Sequence, residues 1–370
     1  MIHGSPAFEV AIRGSYTATA RCEAWLAGRR VASDLPLRED SNISVDSSRF
    51  VRRQGKFSFV EDMSSSREAL RSTLTRPGCE LRVWRGVDLG GYVEDLPVHQ
   101  GLADVVDGTW PENTIAVESP DLAQRVSYDG FPAPRQSAAS LTVSQQIQVL
   151  IYESLASASI LRQRFVDTTG DATVVRTVVW DQGLSTRNAA VDTLATSIGA
   201  EIFASPDGRW VLRPVQTLLG IPVLTVREGV ALVSAATKVD WSRVQNDVIV
   251  TCERADGTKL RGRSTDNDPS SPTGVGSALG RRTGFYTTSL PTTSPQCVTI
   301  ADARRARMQG ARVNVDFETF VHPGMEAGDR HDVICRGTTY RLVVDSFELP
   351  LFGARMRVQA RSQIDPADLT

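Results

Sequence analysis

The sequence predicts a mainly β protein with an α+β insertion: two small tube-type β-barrels or sandwiches flanking a helix-containing module. Three observations predict it. Short segments of period-two alternation fill residues 8–118, two amphipathic helical segments follow within 135–218, and alternating strands return beyond 219. Period two gives a strand one buried and one exposed face; apolar residues three and four apart give a helix one apolar stripe. The expected domains are an N-terminal β-barrel at 1–134, an α+β module at 135–218 and a second β-barrel at 219–370.

In the first region Ala20, Cys22, Ala24 and Leu26 alternate with Thr19, Arg21, Glu23 and Trp25, and Gly28 marks a turn. Shorter strands are expected at 43–45, 56–60, 80–84 and 114–118, with Phe57 and Phe59 on one face. Phe131-Pro132-Ala133-Pro134-Arg135 reads as a linker. A helix is predicted from Leu141 to about Ser157, with Val143, Ile147, Leu150, Ile151 and Leu155 sharing a face and Thr142 or Ser144 as cap. A second helix, about 186–198, has Ser185 as its cap and Gly199 as a left-handed stop. A hairpin follows immediately, turning at Ser205-Pro206-Asp207-Gly208, where proline presets the turn and glycine relieves it.

In the last third, a strand at 247–254 places Val248, Val250 and Cys252 opposite Ile249, Thr251 and Glu253, and a return strand begins at Lys259 after a turn at Ala255-Asp256-Gly257. The stretch 264–296 is rich in Ser, Thr, Pro and Gly and reads as a long loop, which in a folded domain is functional or disordered. A short helix at about 299–309 precedes strands at 312–320, 332–336, 340–349 and 354–361.

Composition narrows the function classes. With 370 residues, the chain exceeds one ordinary core, and 41% hydrophobic content excludes wholesale disorder. A net charge of −2 argues against nucleic-acid binding through a broad basic field. Three lysines stand against 38 arginines, a bias that suits a GC-rich genome and also bidentate contacts to carboxylates. Cys22, Cys79, Cys252, Cys297 and Cys335 are scattered and read as reduced, buried small hydrophobes, pointing to a reducing cytosol. No apolar run approaches membrane-spanning length, so stable membrane insertion is not expected.

Catalytic and metal motifs do not emerge. His3, His99, His322 and His331 sit beside no Gly-x-Ser-x-Gly elbow and in no His-Glu-x-x-His helix. Asp266-Asn267-Asp268 lacks the glycine and distal glutamate of a calcium loop, and Gly274-Val275-Gly276 with Gly280 follows no βαβ strand. Six tryptophans (Trp25, Trp84, Trp110, Trp180, Trp210 and Trp241) are dispersed and read mainly as packing. No catalytic residue, metal or cofactor is expected. The expected interface residues are Asp266, Asp268, Arg281 and Arg282 in the long loop, and Arg304, Arg305 and Arg307 on a basic helix face.

These segments, in order, resemble the minor tail proteins of tailed bacteriophages, specifically the tail-hub or baseplate-hub type of actinobacterial phages. Leu35-Pro36-Leu37, Ser44-Val45-Asp46, Arg52-Arg53, and Leu74–Gly78 leading into Leu81–Gly86 resemble the opening barrel. Asp121-Leu122 through Phe131-Pro132 resembles its exit, and Asn246–Val250 the entry to a second barrel. Asp266–Arg282, His322-Pro323-Gly324 through Gly328-Asp329, and Val344-Asp345-Ser346 through Leu349-Pro350 complete the likeness; Asp88–Gly101 departs from it. The resemblance implies a homotrimeric ring at the tail tip of a siphophage virion, assembled in the host cytoplasm. Its partners would be a distal tail protein, other tail-tip proteins and a tape-measure protein, with DNA only passing through. Two alternatives from other classes are a tail-associated peptidase or peptidoglycan hydrolase with dispersed active-site residues, and a glycan-binding module using Trp110 or Trp180.

Overall fold

The alternation along Thr17–Leu26 forms a strand whose Cys22 and Ala24 are buried. The computed structural model describes the chain except 61–66, 110–113, 157–163, 176, 182–185, 217–220, 243, 254–256, 272, 289–292, 309–310 and 365–370. Trp110, Ser185 and the turn residues Ala255 and Asp256 therefore lie outside the described residues, as does the side chain of Arg307. The chain divides into two compact units: Met1–Ser234 with Phe317–Thr339 and Val343–Gln359, and Ala235–Asp316 with Tyr340–Leu342 and 360–370.

Mainly β architecture is what forms. An antiparallel sheet in the first unit runs in the order Arg29–Ala32, Thr17–Leu26, Glu80–Asp88, Val93–Leu102. A larger sheet starts at Val105–Thr109 and continues through Thr114–Pro120, Arg53–Val60 and Asn42–Asp46 to Thr338–Pro350. It then passes to Arg355–Ile364 and Ala311–Phe320 and ends on Leu232–Asp240. Both strand orders are open; neither closes into a barrel. The pairing of Asn42–Asp46 with Thr338–Pro350 joins the first β region of the sequence to the last. Alternation sets its inner face: Ile43, Val45, Phe347 and Leu349 are buried.

The helix-containing module lies within the first unit. Its first helix is Val143–Ala156, and Thr142 is the cap. Thr142 Oγ1 accepts from Gln145 N–H (3.3 Å) while Gln145 Oε1 accepts from Thr142 N–H (3.0 Å), a reciprocal capping box. Its second helix, Arg187–Ser197, ends where Gly199 takes φ +67°. The hairpin strands Ala200–Ala204 and Trp210–Pro214 pair as expected, with Gly208 at φ +81°. Phe165–Asp167 adds a parallel strand that the sequence reading does not anticipate. Trp210, Leu150, Ile151, Val191 and Leu194 pack this module's core.

Three short helices also go unanticipated: Pro6–Ala11, Arg67–Leu74 and Ala123–Tyr128. The first carries a legible signal, since Pro6 follows Ser5, whose hydroxyl caps Phe8 N–H at 3.2 Å. Four of the five cysteines are buried, and all are free thiols. No helix among the described residues is long and apolar enough to cross a membrane.

The first unit buries several charged side chains, among them Arg53, Arg85 and Asp121. Arg53 donates to Val98 C=O (3.2 Å) and pairs with Glu326, while its backbone N–H donates to the Asp121 carboxylate at 2.8 Å. Arg85 donates to the carbonyls of Leu351 (2.9 Å) and Gly353 (2.7 Å) and to Tyr16 Oη (3.1 Å). Burial pushes Asp121 up to about 6, against the backbone N–H groups of Arg53 and Ala123 that favour its anion. Burial, with the nearby Arg53 charge, pushes His99 down to about 3; burial, His322 and the N-terminal ammonium do the same to His331.

These shifts oppose one another below pH 6.5. Unfolded, the two histidines take up protons near pH 6.5 that the folded state refuses until about pH 3, so folding weakens as pH falls. Folded Asp121 gains its proton at about pH 6, before the unfolded carboxyl does near 3.9, which strengthens folding. We expect a net loss from these three groups of about 1.4 kcal/mol per pH unit around pH 5. Denaturant titrations of the wild type and of the His99→Gln/His331→Gln double variant measure it. In the double variant the contribution reverses sign; an unchanged slope contradicts the assignment.

Candidate interaction surface

The second unit places a three-stranded sheet against one helix. The strands Lys259–Thr265 and Asp247–Glu253 are antiparallel, and Thr283–Thr288 pairs parallel to Asp247–Glu253 on the other side. Val248, Val250 and Cys252 face the helix Ser294–Met308 and pack with Cys297 and Ala301. Gly262 allows the close approach: a Cβ there would sit 2.3 Å from the backbone at Cys297 and Val298. The expected loop 264–296 is thus corrected. It contains a strand at Thr283–Thr288, whose Thr-Gly-Phe-Tyr-Thr-Thr composition is the β-branched and aromatic signal for one, and a helix that begins at Ser294.

The true connection, residues 266–282, is folded back on itself. Buried Asn246 donates from Nδ2 to Thr273 C=O and Gly280 C=O, both at 2.8 Å, and its Oδ1 accepts from Arg282 N–H at 2.8 Å. Asp266 is buried and accepts from Ser271 Oγ at 2.6 Å. Arg282 donates to Trp241 C=O at 2.5 Å. Asp268 is exposed and caps Ser270 through its N–H (2.8 Å) and hydroxyl (2.7 Å). Those bonds hold the Asp268 carboxyl below its ordinary range.

Asp247, which sequence reasoning did not single out, organises the opposite sheet face. Its carboxylate is 1% exposed and accepts from Arg263 Nε (2.7 Å) and Nη2 (2.9 Å), Thr265 Oγ1 (2.9 Å) and Thr283 Oγ1 (2.9 Å). Arg281, half-exposed, stands 4.0 Å away. The Arg263 bonds, with the threonine hydroxyls, hold Asp247 at about 2. Of the helix arginines, Arg304 stacks over Tyr286 (4.1 Å) and Arg305 donates to Ser264 Oγ (2.7 Å). The loop cations and the helix cations therefore belong to opposite faces of one sheet: Arg281 lies beside Asp247, whereas Arg304 and Arg305 meet residues of the helix-facing side.

The other sequence candidates resolve as follows. His99 bonds Ser119 Oγ (2.9 Å), His322 bonds Glu9 (3.1 Å), and no group of three metal-binding side chains occurs among the described residues. Trp180 and Trp210 are buried, the former stacked on Phe131. Trp25 and Trp84 are half-buried beneath Arg82 (3.8 Å) and Arg21 (3.9 Å). The first unit also holds an open cleft of about 660 Å³ lined by both polar residues, such as Ser44, Gln54 and Arg357, and apolar ones, such as Val45, Phe50 and Phe347.

Replacing Asp247 with Asn removes the anion on which Arg263, Thr265 and Thr283 converge. We expect a loss of about 1 kcal/mol at pH 7, because Arg263 is half-exposed and its attraction to Asp247 is screened by solvent. Because the folded carboxyl titrates lower than the unfolded one, its contribution is complete above about pH 4 and disappears as pH falls through about 2. Denaturant midpoints of wild type and Asp247→Asn should therefore converge on acidification; a gap that persists at pH 2 contradicts the role.

No protein-family model matches the sequence, and no characterised protein matches it by sequence. Solved structures do match by fold. A tail protein from Neisseria meningitidis MC58 is similar at TM-score 0.65 and 13% identity, over 93% of this chain and 96% of that one. The 43 kDa tail protein of prophage MuSo2 from Shewanella oneidensis gives 0.62 and 12%, over 92% and 98%. Prophage tail protein gp18 from Listeria monocytogenes EGD-e gives 0.59 and 9%, over 94% and 97%. The chain has the fold of phage tail proteins along nearly its whole length.

Proposed function

We propose that this chain is a structural, non-enzymatic protein of a phage tail tip, of the tail-hub type seen in actinobacterial phages. Three copies form a ring that adapts the tail tube to the distal tip and lines the channel taken by tape-measure protein and DNA. The residue ranges 1–134, 135–218 and 219–370 serve as its modules. The observation that carries this reading is the end-to-end correspondence with three tail proteins, each covered at 96% or more. Fold alone does not dictate activity, so the reading also rests on surface features.

One such feature is the strand Leu232–Asp240, which ends the large sheet. Residues 233–238 along it are all exposed. An uncovered edge of that length invites pairing with another chain, and cyclic closure satisfies it without leaving a free end. Its partners in the virion are then further copies and neighbouring tail proteins; Asp268 and Arg281, exposed on the connection 266–282, are the better placed of the expected contact residues.

Deleting the connection is not a clean test, because it would leave Asn246 buried without its carbonyl partners. Mass and shape are. Native mass measurement should give about 121 kDa, three times the 40.3 kDa chain, and negative-stain images should show rings. A monomer inside mature particles overturns the proposal. Val233→Lys/Ala235→Lys puts charge on the edge at exposed positions. We expect the ring to dissociate while monomer stability changes by no more than about 0.5 kcal/mol; rings that persist in the variant locate closure elsewhere.

A further inference from the structure

The face of the second unit's sheet that carries Asp247 is the one turned away from the helix Ser294–Met308, and its cross-strand rows follow from the register. Thr265, Asp247 and Thr283 form one row, Arg263, Ile249 and Phe285 the next, and Arg261, Thr251 and Thr287 the third. The first row is closed on itself by hydrogen bonds to the Asp247 carboxylate. In the second, Ile249 is buried but Phe285 stands 74% exposed on an edge strand. Its neighbour in sequence, Tyr286, points the other way, toward the helix and Gln245, so the exposed ring is set by the strand's alternation.

Leaving Phe285 in water forgoes the gain from burying an aromatic ring. The cations around it are unequally used. Asp247 engages Arg263 through two hydrogen bonds, Arg281 is 4.0 Å from the same carboxylate and half-exposed, and Arg261 makes no ion pair among the described residues. One buried acid therefore faces Arg263 and Arg281 and leaves Arg261 without a counter-charge among the described residues. Aromatic and arginine side chains together on an exposed face are the composition of binding hot spots.

The geometry points to this face as a docking surface for a different polypeptide with an acidic rim and an apolar recess: Phe285 fills the recess, and Arg261 and Arg281 meet the carboxylates. The partner's charge follows from the cation excess. A second copy docking through the same patch would set Arg261 and Arg281 against themselves. Single-stranded nucleic acid is the poorer fit, because it wants several aromatic platforms and a run of free cations, whereas this face offers one exposed ring and Arg263 is already committed to Asp247.

This inference rests on the tail-protein reading, so the test uses assembled particles containing the chain. A photo-crosslinking benzoyl-phenylalanine is incorporated in place of Phe285, and mass spectrometry identifies the crosslinked peptide. A different polypeptide, joined near Asp or Glu residues, supports the proposal. Crosslinks to another copy of this chain, to nucleic acid, or to nothing in particles that contain the chain overturn it. Absence of the chain from particles removes the functional reading itself, and the inference with it. In parallel, Phe285→Ser and Arg261→Glu/Arg281→Glu should each lower incorporation into particles about ten-fold. Purified Phe285→Ser should melt as the wild type does, since its ring lies on the surface. Wild-type incorporation by both variants also overturns the proposal.

Discussion

Buried guanidinium groups tie together parts of the first unit that are remote in sequence. Arg53 sits on the strand Arg53–Val60 yet reaches Val98 and Glu326; Arg85 reaches Leu351 and Gly353. Glu201 accepts from both Arg52 and Arg213, and the Phe203 ring lies under both guanidiniums at 4.4 and 4.8 Å. Arginine suits this work because its planar fork offers five donors and its hydration is weak. Once such a charge is buried, taking away its partner leaves an uncompensated ion, at a cost of about 3–5 kcal/mol. The arrangement therefore favours one set of long-range contacts over slipped alternatives, and the arginine-rich composition has a structural use.

The second unit applies the same logic with the sign reversed, gathering an arginine and two threonines onto one buried carboxylate. Asp247 joins all three strands of its sheet, and the adjacent Asn246 fastens the 266–282 connection through three hydrogen bonds. A segment whose composition suggests a loose loop is held by the residues that begin the neighbouring strand. Asp268, Arg281 and Phe285 remain exposed afterwards.

Buried polar groups are spent on internal joints, leaving sheet edges and one aromatic-basic face outward. Three of the four histidines are drawn into that internal role too: His99 bonds Ser119, His322 bonds Glu9, and His331 is held neutral by burial. Of the tryptophans, Trp180 and Trp210 are packed, and Trp84 and Trp25 lie beneath arginine.

Local features were legible in the sequence. Thr142 as a cap, Gly199 as a helix stop, the Ser205–Gly208 hairpin and the inward alternation of Val248, Val250 and Cys252 each depend on backbone preference or side-chain period within a few residues. The mainly β class follows from those features added together. Tertiary structure alone decided that Asn42–Asp46 pairs with Thr338–Pro350, that Thr283–Thr288 is a parallel strand, and that Arg263, Thr265 and Thr283 converge on Asp247. A strand's hydrogen-bonding partner and a carboxylate's neighbours are chosen by burial of surfaces distant along the chain, and no short window of residues carries that choice.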